Sequence, residues 1–290
     1  MSINDIEQRV RREELLRSYA GADRVVHAKD KKTEISEQEK TRTPFSARTG
    51  LSALDECLDG FRRGQLVIVS GPPKNGKTLL CQNLSSRFTK QGHRCAWFEY
   101  ELNYEEFLAK FPEGEIDFHL PNYMASGNVD WIADRVTESK LKFGTDIVFI
   151  DHLDFLRDPD ILKGVSLNLS AYVGSIVQKV KRIAVENDLL VFMMSHIRKN
   201  DWTTNKLPSS EELRDSGQIA QLADIVMMVI RKRIKDSSGS VYLENDALVG
   251  VIENRHNGKT KIVSAQVHEG QFRETIDPIL NKPKEDAWII

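Results

Sequence analysis

The 290-residue sequence predicts an α/β fold with a mostly parallel central sheet. Apolar and helix-like segments alternate between residues 66 and 195. The apolar segments are continuous runs, the pattern of strands buried on both faces. Between the first strand-like run and the first helix-like stretch sits GPPKNGKT (71–78), a glycine-rich loop that follows the β-branched run LVIVS (66–70).

Taken in order, residues 4–19 place Ile6, Val10, Leu15 and Tyr19 near helical spacing behind an Asn4-Asp5 start signal, which predicts a short amphipathic helix. Residues 28–45, AKDKKTEISEQEKTRTPF, turn polar and charged and are expected to form a linker. The expected organisation is an N-terminal helix and linker over 1–45, a globular body over 46–275 and a tail over 276–290. Within the body, LVIVS is a strand, and Thr78 to about Lys90 a helix. RCAWFEY (94–100) is the next strand, followed by a helix around Tyr104 to Lys110 and a short strand IDFHL (116–120). A helix from Asn128 to Lys142 leads to the strand DIVFID (146–151). A long helix from about Leu169 to Glu186 leads to LLVFMMS (189–195). After residue 224 come DIVMMVIRKR and ALVGVIENRHNGKTKIVSAQV, in which Asn257-Gly258 separates two apolar runs; this predicts a C-terminal β-hairpin with polar residues at its tip.

Composition bounds the function. With 40% apolar and 29% charged residues, the chain is expected to be a soluble globular protein. Lys and Arg total 41 against 43 Asp and Glu, so any nucleic-acid surface must come from local clustering. Cys57, Cys81 and Cys95 lack metal-ligand spacing and do not make a disulfide framework, which fits a reducing cytoplasm. The N-terminus is charged from its fifth residue, and the longest apolar runs, such as LLVFMM (189–194), are too short to span a bilayer.

The loop of Gly71, Pro72, Pro73, Lys74, Asn75, Gly76, Lys77 and Thr78 is a phosphate-binding P-loop in its strand-loop-helix setting. Its glycines let successive N–H groups turn inward around a phosphate. Lys77 can reach the β- and γ-phosphates of ATP, and the Thr78 hydroxyl can ligate Mg²⁺. Asp151, ending an apolar strand, is the Walker B candidate that would hold the metal's water shell. Glu99 and Glu101 end the earlier strand on one face, with Tyr100 on the other. A Glu at the end of a strand adjoining the P-loop strand suits a general base on attacking water; Glu101 is the choice and Glu99 is expected to be solvated. His196, after another core strand, could donate to the γ-phosphate. The following loop, IRKNDWTTNKLPSS (197–210), interleaves Arg198, Lys199 and Lys206 with Trp202, a mixture suited to single-stranded nucleic acid.

EELRDSGQIAQLADIVMMVIR (211–231) resembles the fourth motif of DnaB-type hexameric replicative helicases. FEYEL, IDHLDFL and SHIRK resemble that family's acidic, Walker B and third motifs, in the same order, and TGLSALDECLDGFRRGQLVIVSG (49–71) resembles its lead-in. The resemblance covers roughly residues 47–270. It implies a RecA-like ATPase and helicase motor domain that translocates on single-stranded DNA, 5′ to 3′, as a homo-hexameric ring. It also implies that Glu101 is the catalytic glutamate and that Arg214, Asp215 and Gly217 lie on a DNA-contacting channel loop. Arg255 in VIENRHNG falls on the arginine finger that enters the neighbouring subunit's site.

The departures are His at 196, where cellular bacterial members usually carry Gln and the phage and mitochondrial branch carries His, and Glu253, where the family tends to carry a phosphate-approaching Lys. Lys259 or Lys261 could supply that cation instead. The roughly 45 residues before the body match neither a collar domain nor a fused primase, so primase and a helicase loader are expected from separate proteins, as in a viral or plasmid replicon. Two other readings fit the same motifs: a RecA- or KaiC-like ATPase that binds DNA or partners without unwinding, and a hydrolysis-weak regulatory homologue.

Overall fold

The structure, a computed structural model, describes residues 11–15, 17, 21, 24–41, 44–111, 114–156, 169–196, 217–235 and 241–275. By its internal contacts the chain divides into Met1–Phe45 and Ser46–Ile290. In the first unit residues 11–15 are helical, inside the helix expected over 4–19; most of the remainder of that helix lies outside the described residues. Within the expected linker, Ala28–Thr41 is a helix, α1. The segment has no apolar stripe, but it combines good helix formers with helical-spacing pairs. Lys31 stands 2.9 Å from Glu34, and Gln38 donates to Glu34 at 3.1 Å. The first proline is Pro44, beyond the helix end.

The second unit is built on β1 (Leu66–Ser70), β2 (Cys95–Glu99), β3 (Phe118–His119), β4 (Ile147–Asp151), β5 (Leu190–Met194), β6 (Ile225–Lys235), β7 (Val241–Asn254), β8 (Lys261–His268) and β9 (Gln271–Glu274). They form one sheet in the order β3-β2-β4-β5-β1-β6-β7-β8-β9. Pairing is parallel from β3 through β6 and antiparallel from β6 to β9, so the predicted hairpin β7–β8 lies inside a longer antiparallel meander. The tip runs from Arg255 to Thr260, with Gly258 at φ 70°. The expected strand 116–120 shrinks to two paired residues, with Pro121 close behind as a residue that cannot donate to a ladder.

The helices are α2 (Ser52–Leu58), α3 (Lys77–Lys90), α4 (Tyr104–Leu108), α5 (Val129–Phe143), α6 (Leu169–Glu186) and α7 (Gly217–Leu222). Asn103 and Asn128 cap α4 and α5 by accepting from the Glu106 and Asp130 N–H groups, and Gly144 ends α5 in the left-handed region that glycine favours. All five residues of β1, β2, β4 and β5 are buried, as continuous apolar runs require.

The two sheet faces differ in chemistry. On one, Leu66, Ile68, Val148, Ile150, Val191 and Met193 pack against Ile132 and Val136 of α5 and Val177 and Val180 of α6 in an almost wholly aliphatic layer. On the other, Trp97, Phe149 and Phe192 are register partners on β2, β4 and β5. Their rings stack with centroids 4.5 and 4.9 Å apart. Phe88 of α3 stacks above Phe149, and the Trp97 indole N–H donates to Ser85 Oγ of the same helix at 3.0 Å. This layer seats α3, whose N-terminus follows the P-loop.

Candidate active site

The P-loop leaves the carboxyl end of β1, the middle strand of the nine-stranded sheet, and open α/β sheets bind ligands at the carboxyl ends of their strands. Gly71 has φ 149°, and a Cβ there would meet the Val229 carbonyl oxygen at 2.2 Å. Glycine lets this backbone lie against β6. Lys74 and Gly76 also have positive φ, so the loop curls before α3 begins. Asn75 is buried and ties the loop down: its amide donates to Pro73 O at 2.9 Å, and its Oδ1 accepts from the Arg231 N–H at 2.9 Å.

Lys77 is 5% exposed, and its ammonium donates to Gly71 O and Pro72 O at 3.2 and 3.1 Å. Burial lowers its pKa to about 8 against the pull of Asp151 and Glu101. The Thr78 hydroxyl donates to Asp151 Oδ2 at 2.6 Å. Asp151 is 1% exposed; burial raises its pKa to about 6, with the Thr78 hydrogen bond acting the other way. Among the described residues Asp151 Oδ1 is buried and has no hydrogen-bond partner. Because Thr78 gives its proton to Asp151, the lone pairs of its hydroxyl oxygen point elsewhere. A hydroxyl acceptor beside a buried, unsatisfied carboxylate oxygen fits Mg²⁺, which takes oxygen ligands and retains water.

Two expectations about the acidic motif are corrected. The strand that carries it does not adjoin the P-loop strand: β4 and β5 lie between β2 and β1. Crossover topology sets that order, and one sequence does not display it. Nor is Glu99 solvated. It is 2% exposed and pairs in register with Asp151, and its Oε1 accepts from the Glu101 and Leu102 N–H groups at 2.8 and 2.7 Å. Burial, then the Asp151 charge, raises its pKa to about 8. Glu101 lies just past the strand and is exposed. Its charge acts on Lys77, Asp151 and His196 alike. Glu99 is thus the bracket that turns the backbone at Glu101, a role invisible to alternation alone.

His196 follows β5, next to β1. Burial first, then Lys77, lowers its pKa, and its Nδ1 is buried without a hydrogen-bond partner among the described residues. Its ring lies 3.9 Å from that of His152, a neighbour the sequence did not single out. Arg231 and Phe272 were missed as well, and they flank Gly76: a Cβ there would meet Phe272 at 3.3 Å and Arg231 at 3.7 Å. The Arg231 guanidinium donates to Glu244 O at 3.0 and 2.7 Å. The pairing of β6 with β1 brings Arg231 to the loop, and the hydrogen bond from the Phe272 N–H to Asn83 Oδ1 of α3, 2.6 Å, brings Phe272.

Arg255 stands elsewhere. It follows Asn254, which pairs with Ile225 at the start of β6, whereas Ser70 beside the P-loop pairs with Met228. Three strand residues, about 10 Å, separate those two levels of the sheet. Arg255 is exposed there, its backbone N–H donating to Asp224 O at 2.9 Å and its guanidinium to the Gln221 carbonyl of α7. Lys259 and Lys261 are exposed on the same edge. Gly217 opens α7, while Arg198, Lys199, Trp202, Lys206, Arg214 and Asp215 lie outside the described residues.

Comparison with known proteins agrees with this arrangement. The DnaB-like helicase C-terminal domain family matches residues 47–129 and 122–274. A replicative DNA helicase, DnaC, of Bacillus subtilis (strain 168) is 27% identical over 249 residues, spanning 74% of this chain and 53% of that protein. A probable replicative DNA helicase of Trieres chinensis is 25% identical over 238 residues, 71% of this chain and 50% of its own. The chain therefore spans about half the length of the curated relatives it matches. A solved structure of an ATPase domain superposes with a TM-score of 0.70 at 20% identity, covering 87% of this chain and 99% of that one. A DnaB-like replicative helicase, solved in a study of its interactions with primase, gives 0.65 at 19% identity, with 91% and 71% covered. The expected RecA-like α/β fold is thereby found. With its P-loop, third motif, Walker B aspartate and acidic motif at the carboxyl ends of β1, β5, β4 and β2, the chain belongs to the DnaB-like helicase C-terminal domain family.

Proposed function

We propose that residues 46–275 are the ATP-hydrolysing motor of a ring-shaped DNA helicase that moves along single-stranded DNA during replication. The observation that carries the reading is the separation of Arg255 from its own P-loop. A guanidinium at the start level of the sheet is useless to the phosphates at its end, but it can serve the P-loop of a second copy. This supports a homo-hexameric ring with ATP between subunits.

In this reading the P-loop N–H groups and Lys77 hold the phosphates, the ammonium leaving the carbonyls of Gly71 and Pro72 for them. Thr78 and Asp151 would hold Mg²⁺, whose charge would offset the negative charge that develops on the transferred phosphoryl group. Glu101 orients and deprotonates the attacking water, on a turn fixed by Glu99. His196 donates to the γ-phosphate from the end of β5. Arg255 of the adjacent copy stabilises the charge on the transferred phosphoryl group. Arg214, Asp215 and Gly217, with Arg198, Lys199 and Lys206, contact DNA. Primase and a helicase loader are the partners this reading implies, and residues 1–45 and 276–290 are the segments before and after the motor in sequence. No helix among the described residues is long and apolar enough to cross a membrane.

The test is steady-state ATP hydrolysis with and without single-stranded DNA, across protein concentrations that bracket ring assembly. DNA-stimulated turnover rising cooperatively with protein supports the reading. Background turnover with ATP still bound overturns it.

A further inference from the structure

We propose that His152, Asp154 and His196 form a transition-metal site of the kind that takes Zn²⁺, at the rim of the nucleotide site and separate from the Mg²⁺ position. One donor atom from each residue lies within 4.8 Å of the other two. Two imidazoles and a carboxylate are a zinc donor set, and three protein ligands leave a fourth position open. Mg²⁺ favours an all-oxygen shell and is a poor competitor for such donors.

The geometry is close to what coordination needs. Tetrahedral ligands held about 2.0–2.2 Å from zinc stand about 3.3–3.6 Å from one another. His152 Nδ1 and Asp154 Oδ2 are already 3.4 Å apart. The His152 and His196 rings lie 3.9 Å apart at a 34° tilt, so closing the set requires the His196 ring to turn away from this near-stacked contact. Coordination would displace the long hydrogen bond from the Asp154 N–H to His152 Nδ1 at 3.3 Å. Backbone supports hold the ligands from both sides: His152 follows β4 directly at 1% exposure, and Asp154 lies in the 3₁₀ turn Leu153–Leu156. His196 follows β5, paired with β4. Asp154 and His196 are partly exposed, which gives a metal a way in.

Occupancy would commit the His196 imidazole to the metal and withdraw it from the γ-phosphate. This consequence, slower hydrolysis, rests on the hydrolytic reading above; metal binding does not. The experiment titrates the full, chelator-stripped chain with Co²⁺, a spectroscopic stand-in for Zn²⁺, with Mg²⁺ in excess, and then displaces it with Zn²⁺. One site per chain with intense tetrahedral visible bands is expected. Asp154→Asn and His152→Asn should each weaken it at least about tenfold. Asp154→Asn should keep metal-free ATP turnover while moving Zn²⁺ inhibition to higher concentration, in step with the binding loss. Absence of the tetrahedral bands, or affinity unchanged in both variants, overturns the proposal. A chain that binds metal as described and hydrolyses no ATP would retain the site and sink only the hydrolytic reading.

Discussion

Two inactive variants should restore each other when mixed. Arg255→Ala removes an exposed guanidinium whose described contact is to the Gln221 carbonyl, so the fold should tolerate it. Because Arg255 sits about 10 Å down the sheet from the strand end that carries its own P-loop, its loss leaves that P-loop intact. Hydrolysis should nevertheless fall by about 10³ to 10⁵, the range for a finger that stabilises phosphoryl charge. Lys77→Ala does the opposite: it disables its own site and leaves Arg255 in place. In rings drawn at random from equal amounts, about one interface in four joins an intact P-loop to an intact Arg255, and turnover should recover to about a quarter of the unmodified rate. The assay is phosphate release, with ring mass verified in each sample. Turnover no higher than either variant alone, with rings formed, would refute action across the interface. Full activity of Arg255→Ala would refute the role altogether.

Gly71→Ala should abolish nucleotide binding and lower stability by about 1–3 kcal/mol, because its Cβ meets a backbone oxygen at 2.2 Å and the φ of 149° disfavours a side chain; thermal melting and nucleotide fluorescence check the two effects. Glu101→Gln should bind ATP normally and hydrolyse it about 10²- to 10⁴-fold more slowly with the melting temperature unchanged, as expected of an exposed base. Glu99→Ala should instead cost about 1–3 kcal/mol, since two N–H groups lose their acceptor, whereas Glu99→Gln, which keeps an acceptor, should cost less. Calorimetric melting separates the three acidic-motif variants. ATP affinity should fall as pH rises: the free-state Lys77 pKa is depressed to about 8, and phosphate binds only its protonated form. Below about pH 8 the ammonium is present and affinity is flat; above it, each pH unit should cost about tenfold until other groups titrate. Affinity flat to about pH 10 would contradict an ammonium–phosphate contact.

The P-loop, the apolar strands and Asp151 are legible in the sequence because each depends on local chemistry: a run buried on both faces, a glycine where backbone must approach backbone, a carboxylate ending a strand. What escapes depends on distant partners. Glu99 looks like a surface acid until the turn after β2 aims two N–H groups at it. Arg231 reaches Gly76 through the pairing of β6 with β1, and Phe272 through the hydrogen bonds that tie β9 to α3. The intervening β4 and β5 do not follow from chain order. Helix α1 escapes because a run of charge without an apolar stripe suits irregular chain equally well, although its Lys, Glu and Gln sit at helical spacing. β9, only QFRE, is too short to announce itself.

The stacked rings of Trp97, Phe149 and Phe192 bear on how the chain finds its fold. Parallel strands distant in sequence face a choice of offset, and slipping any pair by one residue sends its side chains to the opposite layer. Here a slip would drive an indole or a phenyl ring into the tightly filled aliphatic side and leave a vacancy beneath Phe88. Three rings spaced at the separation of neighbouring strands therefore act as a proofreading gauge, admitting one alignment of β2, β4 and β5. That alignment brings Glu99 level with Asp151, so the carboxylates of the site are assembled by aromatic residues that touch no substrate.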